Sequence, residues 1–379
     1  MATKDTKGDL VMKQDFDYLS FVLRSQPFHY GHAKVIETAL QRSKHVILFV
    51  GSANRARDWF NPFIFEERAG VIREWAKDHV SDYADRITIL PLDDYLYDID
   101  SWLVAVQHKV ETVVRTREKG WSDYPPKIGL IGHSKDHTSF YLNLFPQWGS
   151  VNVEAFTDRR LFNSTDIRDV FFKDPADTSY TDWGSVLEGI PDATMAFLEK
   201  FHKTEHYSHL CEYHEYIRKY KEDHKFRNPN IPYDAIHTCV DACVIQSGHI
   251  LLVKRKDHPG KGLWALPGGF INPNELLVDA MLRELWEETK LKVTPRVLRG
   301  SLTDSHVFDE PHRSARGRLL SHTYRMDLEP MGKLPRVKGG SDAKKAEWVP
   351  LSELRSEMFF EDHYFIIQSM SKRARRSYV

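Results

Sequence analysis

Three cysteines among 379 residues, Cys211, Cys239 and Cys243, are too few for a disulfide framework and form no Cys-x-x-Cys pair. That scarcity suits a reducing compartment, and a cytoplasmic location is expected. An excess of one charge is also missing. With 53 Lys and Arg against 54 Asp and Glu, the net charge of -1 gives no electrostatic footprint for nucleic acid or an anionic membrane, and neither is expected as a partner. Basic residues cluster only at Arg313 to Arg318 and in the tail Lys372-Arg373-Ala374-Arg375-Arg376, which reads as a solvated terminus. No apolar run approaches the roughly 18 residues of a membrane span. Met1 to Lys13 is polar and lacks the apolar core of a signal peptide. Internal repeats and low-complexity tracts are absent as well.

What is present is enough chain for two cores. From residue 18 to about 156, short apolar runs at 19–23, 46–50, 87–90, 128–131 and 151–155 alternate with amphipathic stretches at 31–43, 64–79 and 100–118. Continuous apolar strands separated by helices predict a parallel sheet covered on both faces. Residues 192–226 read as a helical hairpin closing this domain. Their His202, His206, His209 and His214 have helical spacing, but no carboxylate or cysteine completes a metal set. Asn228-Pro229-Asn230-Ile231-Pro232 reads as a linker, which gives a first domain at 1–227, a linker at 228–233 and a second domain at 234–379. In the second, strands are expected at 237–246, 249–255, 297–303, 318–328 and 345–349. A Gly/Pro loop falls at 259–269, with helices at 274–289 and from about 358. That is an α/β sandwich on a mixed sheet.

Behind the first strand stands His29-Tyr30-Gly31-His32. Its two imidazoles are one turn apart at a helix start, where free N–H groups and the positive dipole end favour anionic oxygens. Arg24-Ser25-Gln26-Pro27-Phe28-His29-Tyr30-Gly31-His32 resembles the GRFQPFHxGH motif of nicotinamide mononucleotide (NMN) adenylyltransferases, and Asn163-Ser164-Thr165-Asp166-Ile167-Arg168 is similar to their ISxTxxR motif. Further matches are the Gly51-Ser52…Asn61-Pro62-Phe63…Glu66-Glu67-Arg68 region and Gly132-His133-Ser134-Lys135-Asp136 at a strand end. The resemblance implies a Rossmann-like HxGH nucleotidyltransferase domain in which Arg24, Gln26, His29, His32, Gly132, Lys135, Ser164, Thr165 and Arg168 hold the substrate ATP. Of these, His29, His32 and Arg168 carry the transfer. Asp94 and Trp102 would hold NMN. Leu23, Ser25, Asn163 and Ile64 depart from the family pattern.

The second motif runs from Gly269 through Glu275 to Arg283-Glu284-Leu285-Trp286-Glu287-Glu288. Glu284, Glu287 and Glu288 are three and four residues apart, so their carboxylates project from one helix face and repel one another unless cations join them. Hard oxygen ligands suit Mg2+ or Mn2+, which can bridge phosphates. The run matches the Nudix box GX5EX7REUXEEXGU except at Lys290, where Gly is expected. A side chain disfavours the left-handed turn that this Gly usually takes, so either the loop closes differently or the helix runs one residue longer.

The resemblance implies a Nudix α/β/α sandwich with Gly269, Glu284, Glu287 and Glu288 on the metal and Glu284 and Glu288 carrying hydrolysis. Arg283 would orient Glu287 as an i,i+4 pair. The two domains in this order are similar to the bifunctional NMN adenylyltransferase/ADP-ribose pyrophosphatases, whose second domain has a segment like Val307 to Arg318. Arg313, Arg316 and Arg318 would there grip the diphosphate of ADP-ribose.

The resemblance therefore implies NAD and pyrophosphate made from ATP and NMN, and ADP-ribose cleaved to AMP and ribose 5-phosphate. Two other readings keep the motifs: a Nudix domain that senses ADP-ribose without turnover, or the same chemistries on other nucleotides. Small-molecule nucleotides are the expected partners, and a homo-oligomer is left open.

Overall fold

Strands that are apolar on both faces are stable only between helices, and the first half of the chain is built so. In a computed structural model describing residues 3–4, 10–11, 14–118, 125–133, 141–153, 163–172, 188–225, 235–340 and 343–376, five parallel strands lie in the order Ile87–Pro91, Ser43–Val50, Phe16–Leu23, Ile128–Gly132, Gly149–Asn152. Alternate residues serve opposite faces. Val46, Leu48 and Val50 pack with Val35, Ile36 and Ala39 of the helix Tyr30–Arg42 and with Ile72 and Trp75 of the helix Phe65–His79. Ile47 and Phe49 pack instead with Val106, Val110 and Val113 of the helix Ile99–Arg117. Each such fully buried aliphatic side chain contributes roughly 1.5–3 kcal/mol, enough for the core to hold loops whose residues are polar.

The chain leaves the central strand Phe16–Leu23 towards one side of the sheet and later returns to the other, so the order switches between it and Ile128–Gly132. A doubly wound sheet binds ligands at such a switch, beyond the carboxyl ends of the strands. Arg24 to His32 and Gly132-His133 both fall there. The three connecting helices lie within a residue of the expected positions.

The hairpin of helices Asp192–Phe201 and Glu205–Lys225 is present. The chain divides into two compact units. One holds the chain to Asn54, Asn61–Asp94 and Ile99–Cys211; the other holds Arg55–Phe60, Tyr95–Asp98 and Glu212–Val379. The division thus falls inside the helix Glu205–Lys225, whose Tyr207 packs on Phe171 while His214 stacks on Trp59 at 3.7 Å. The expected linker at 228–233 lies outside the described residues.

In the second unit the strands His237–Gln246 and His249–Arg255 meet only at Ile245 with Ile250 and Gln246 with His249. Ser247 and Gly248, at φ 48° and 73°, form the two-residue turn. The strands then part. His237–Gln246 pairs antiparallel with Gly268–Phe270 and parallel with Leu319–Asp327, while His249–Arg255 pairs with Trp264–Ala265 and Ala343–Pro350. Val240, Ala242 and Val244 face Ala280, Met281 and Leu285 of the helix Leu277–Thr289. Cys243 and Ile245 face Ile366, Ile367 and Met370 of the helix His363–Arg376, which completes an α/β/α sandwich.

Two expectations change here. The strand expected at 297–303 is a helix, Pro295–Gly300, followed by the strand Leu302–Phe308. Pro295 at the first helical position favours that start, and a short apolar run does not by itself distinguish the two states. The tail is not simply solvated: it ends the helix His363–Arg376, with Lys372 paired to Asp98 and Arg373 to Asp304 at 2.9 Å. Among the described residues no helix is long and apolar enough to cross a membrane.

Candidate active sites

His29 is the N-cap of the helix Tyr30–Arg42, and its Nδ1 accepts from the Gly31 N–H at 3.1 Å. The His29 N–H in turn donates to Nδ1 of His32 at 3.4 Å, and the two ring centroids lie 3.8 Å apart. An imidazole that accepts at Nδ1 carries its proton on Nε2, so both rings are donors at a helix start, as an anionic oxygen requires. Buried Phe28 stacks under His32 at 5.8 Å and fixes that ring from below.

The loop leading to these rings is held by its carbonyls. Arg68 donates to Arg24 O at 2.6 Å, Arg168 to Gln26 O at 2.7 Å, Ser164 to Pro27 O at 3.1 Å and Thr194 to Phe28 O at 2.9 Å. Arg168 and Ser164, expected on ATP, thus also brace the loop that presents the histidines. Asn163 caps the helix Ser164–Phe171 by accepting from the Thr165 and Asp166 N–H groups at 2.9 and 3.0 Å, so this departure from the family pattern preserves the cap. Thr165 is exposed, and its hydroxyl accepts from Arg168 at 3.2 Å.

Gln26 is placed differently from expectation. It is buried, and its side-chain amide is matched to the backbone of Phe63, donating to the carbonyl at 2.9 Å and accepting from the N–H at 3.0 Å. A planar amide satisfied at both ends inside the protein is a brace rather than an ATP contact. Arg24 is exposed, and its guanidinium has no partner among the described residues.

Of the two residues expected on NMN, Asp94 accepts from the Ser52 hydroxyl at 3.1 Å, and its N–H donates to Asn54 at 3.1 Å. Trp102 is half-buried against Phe145 and Tyr141, with centroids at 6.1 and 6.5 Å. A side chain at Gly132 would meet the Tyr141 hydroxyl at 2.6 Å, so that strand end is kept open by glycine. Lys135 lies outside the described residues. Thr194 escapes a motif search. Arg68 falls in the Glu66-Glu67-Arg68 match, which names the residue but not the carbonyls it holds, and it shares a helix face with Ile72 and Trp75.

In the second unit the three glutamates differ in environment. Glu288 is buried and accepts from the Gly268 N–H at 3.1 Å; burial pushes its carboxyl up to about 8, and nearby Glu284 adds to the rise. Glu284 is raised too, mainly by burial, against the pull of Arg283. Glu287 is the most exposed, its side chain 39% accessible. Arg283 does not serve Glu287 alone: it donates to Glu275 at 2.7 and 3.0 Å and to Glu284 at 2.7 Å, and reaches Glu287 only at 3.5 Å. These bonds and the Asn272 N–H hold the Glu275 carboxyl down at about 2.

Among the described residues, no three His, Cys, Asp or Glu side chains stand close enough to hold one metal ion. Arg283 draws Glu284 and Glu287 to itself and Gly268 holds Glu288, so the carboxylates must turn to share an ion. The donor set nevertheless fits a hard cation. Two of its members are carboxyls whose charged form burial penalises, and a cation would relieve that penalty.

Lys290 settles the question its position raised. The helix ends at Thr289, and Lys290 itself takes the left-handed conformation, φ 47° and ψ 34°, with its N–H on Trp286 O. Its Nζ lies 3.6 Å from the centroid of the exposed Trp286 ring, a cation–π contact that offsets part of the backbone cost.

The three arginines are not one cluster. Arg313 is buried in a two-bond pair with Asp362, 2.9 Å at each contact, and Asp362 also accepts from Tyr97 at 2.5 Å. Arg318 donates to Asp309 O at 2.5 Å. Arg316 pairs with Glu361 at 3.4 Å and lies over the rings of Phe270 and Phe360 at 5.8 and 5.7 Å. Of the three, Arg316 is the one whose surroundings suit a nucleotide; Arg313 is an interior strut.

Fold and sites together define a nucleotidyltransferase joined to a Nudix hydrolase. A cytidylyltransferase-like family model matches residues 24–170, and a NUDIX domain model matches 235–369. Over 196 residues the chain is 35% identical to the nicotinamide/nicotinic acid mononucleotide adenylyltransferase of Acinetobacter baylyi, covering 52% of this chain and 92% of that one. Over 129 residues it is 39% identical to the ADP-ribose pyrophosphatase of Methanocaldococcus jannaschii, covering 34% of this chain and 69% of that one. It is also similar to the crystal structure of a bifunctional NMN adenylyltransferase/ADP ribose pyrophosphatase from Francisella tularensis complexed with AMP and a Mn ion. The TM-score there is 0.83 at 32% identity, covering 95% of this chain and 99% of the other. The chain belongs to the bifunctional NMN adenylyltransferase/ADP-ribose pyrophosphatase family.

Proposed function

We propose that the first unit joins ATP and NMN into NAD and pyrophosphate, and that the second hydrolyses ADP-ribose to AMP and ribose 5-phosphate. The observation that carries this is likeness along both units in the same order, covering 99% of the Francisella chain at 32% identity. In the first reaction a phosphate oxygen of NMN bonds to the α-phosphorus of ATP, and the bond from that phosphorus to the β-bridging oxygen breaks. No protein nucleophile is needed, so catalysis consists of positioning and of stabilising charge on the leaving pyrophosphate. The Nε2 donors of His29 and His32 and the exposed guanidinium of Arg24 suit that task. Asp94 and the half-buried face of Trp102 suit NMN, whose cationic ring is favoured by an aromatic surface.

In the second unit Glu284, Glu287, Glu288 and the Gly269 carbonyl would hold divalent cations, Mg2+ or Mn2+. When bound, such cations neutralise the diphosphate and lower the pKa of a water. Glu284, half-buried with a raised pKa, suits the role of base. Arg283 keeps Glu275 and Glu284 in register and could release the latter once a cation competes. Arg316 would meet the nucleotide at the rim. The test is the intact chain with ATP and NMN, and separately with ADP-ribose, each with Mg2+, Mn2+ or chelator. NAD formation and cation-dependent AMP release are expected. Absence of AMP release, with ADP-ribose still bound, would instead identify a sensor domain.

A further inference from the structure

Arg68 is a cation buried without a hydrogen-bonded carboxylate. Its donors all go to main-chain carbonyls: Nη1 to Arg24 O at 2.6 Å and Gly51 O at 2.7 Å, Nη2 to Ser52 O at 3.2 Å and Nε to Ile64 O at 3.3 Å. Arg24 follows the strand Phe16–Leu23, and Gly51 follows Ser43–Val50. One guanidinium therefore ties the carboxyl ends of the two neighbouring central strands to the start of the helix Phe65–His79. Each of these ends then turns through a buried serine in the left-handed region, Ser25 at φ 46° and Ser52 at φ 49°. Left-handed serines persist only where their surroundings hold them, and Arg68 grips the carbonyl immediately before each one.

The two strand ends lead to different substrates. Past Arg24 lies the histidine pair; past Ser52, whose hydroxyl donates to Asp94 at 3.1 Å, lies the NMN side. Strand-end carbonyls would also turn their negative oxygens towards a triphosphate. Arg68 turns three of them onto itself, with the Ile64 carbonyl at the helix start as a fourth, and burial leaves its guanidinium at about 10, still charged at neutral pH.

We propose that Arg68 is a positioning residue for adenylyl transfer, fixing the ATP-side loop at Arg24 and the NMN-side loop at Ser52 and Asp94 relative to one another. The proposal rests on the adenylyltransferase reading of the first unit. In-line attack depends on the relative placement of two bound substrates, and small displacements cost large factors in rate. Lysine keeps the charge but has one nitrogen and cannot span four carbonyls.

The experiment uses the full chain with Arg68→Lys and Arg68→Gln. Measured are kcat, both KM values, calorimetric binding of ATP alone and of NMN alone, and ADP-ribose hydrolysis as a reference for the second unit. The expected result is kcat lower by roughly 100-fold, binding of each substrate alone within about 3-fold, and unchanged hydrolysis. Wild-type kcat in both variants overturns the proposal, and so does loss of binding in parallel with kcat, because that marks a general structural role.

If both variants lose the thermal transition of the first unit, Ser52→Ala decides. The expected result is a raised KM for NMN and about 10-fold lower kcat with the KM for ATP unchanged; wild-type kinetics would overturn the proposal. A wild-type chain that forms no NAD fails before any substitution, which removes the functional reading along with the inference built on it.

Discussion

Gly269 and Glu284 approach so closely that a methyl group on Gly269 would lie 2.6 Å from the carboxyl carbon of Glu284. The contact is with the far end of a flexible side chain, so an added carbon displaces the carboxylate without breaking the sheet. Gly269→Ala should therefore leave the thermal midpoint almost unchanged and lower ADP-ribose hydrolysis by roughly 100-fold, about the effect of misplacing a reacting group. Unchanged turnover would show that Glu284 works from another position.

Gly268, one residue earlier, is the counter-case. A methyl group there would lie 2.2 Å from Val240 O and 3.0 Å from Asp241 Cα, backbone atoms of a paired strand that cannot move aside. Overpacking of this kind typically costs about 1–3 kcal/mol. Gly268→Ala should lower the unfolding midpoint of the second unit and its hydrolytic activity together, as read by calorimetry beside an activity assay.

Burial holds the Glu288 carboxyl up at about 8, against 4.5 for an ordinary glutamate. A raised folded-state value means that the native chain binds the proton more tightly, so without metal the stability of the second unit falls as pH rises from about 4.5 to about 8. Glu288→Gln removes that dependence. In chelator, the variant should unfold at a higher temperature than wild type at pH 9, with the gap closing towards pH 4.5. A gap that stays constant with pH contradicts the assignment.

At Lys290 two small effects oppose each other. Relief of the left-handed residue by Lys290→Gly is worth about 1 kcal/mol, and loss of the contact with Trp286 costs about 0.5–1 kcal/mol. The variant should match wild type in stability to within about 1 kcal/mol, and hydrolysis should be unaffected. A larger change in either would assign this turn a role beyond ending the helix.

Continuous apolar runs made the parallel sheet legible, because burial on both faces leaves no room for polar alternation. The HxGH turn and the glutamate spacing were legible because phosphate and metal chemistry restrict which residue types can stand there. Gln26 was not: its place in a motif is the same whether the amide meets ATP or braces Phe63 across 37 residues. Arg68 stood in a motif match but its role was hidden for a related reason, since a buried arginine satisfied by carbonyls has no sequence partner to reveal it. Arg313 and Asp362, 49 residues apart, likewise become a pair only in three dimensions. Nor does local pattern say that Arg55–Phe60 and Tyr95–Asp98 belong with the second unit.

Two separate anion-handling sites act in one chain, and crossed substitutions on the full-length protein test their independence most directly. NAD formation and AMP release should both be measured for His32→Ala and Glu288→Gln. His32→Ala is expected to lose only NAD formation, and Glu288→Gln only AMP release. Loss of both activities in either folded variant would contradict independent sites.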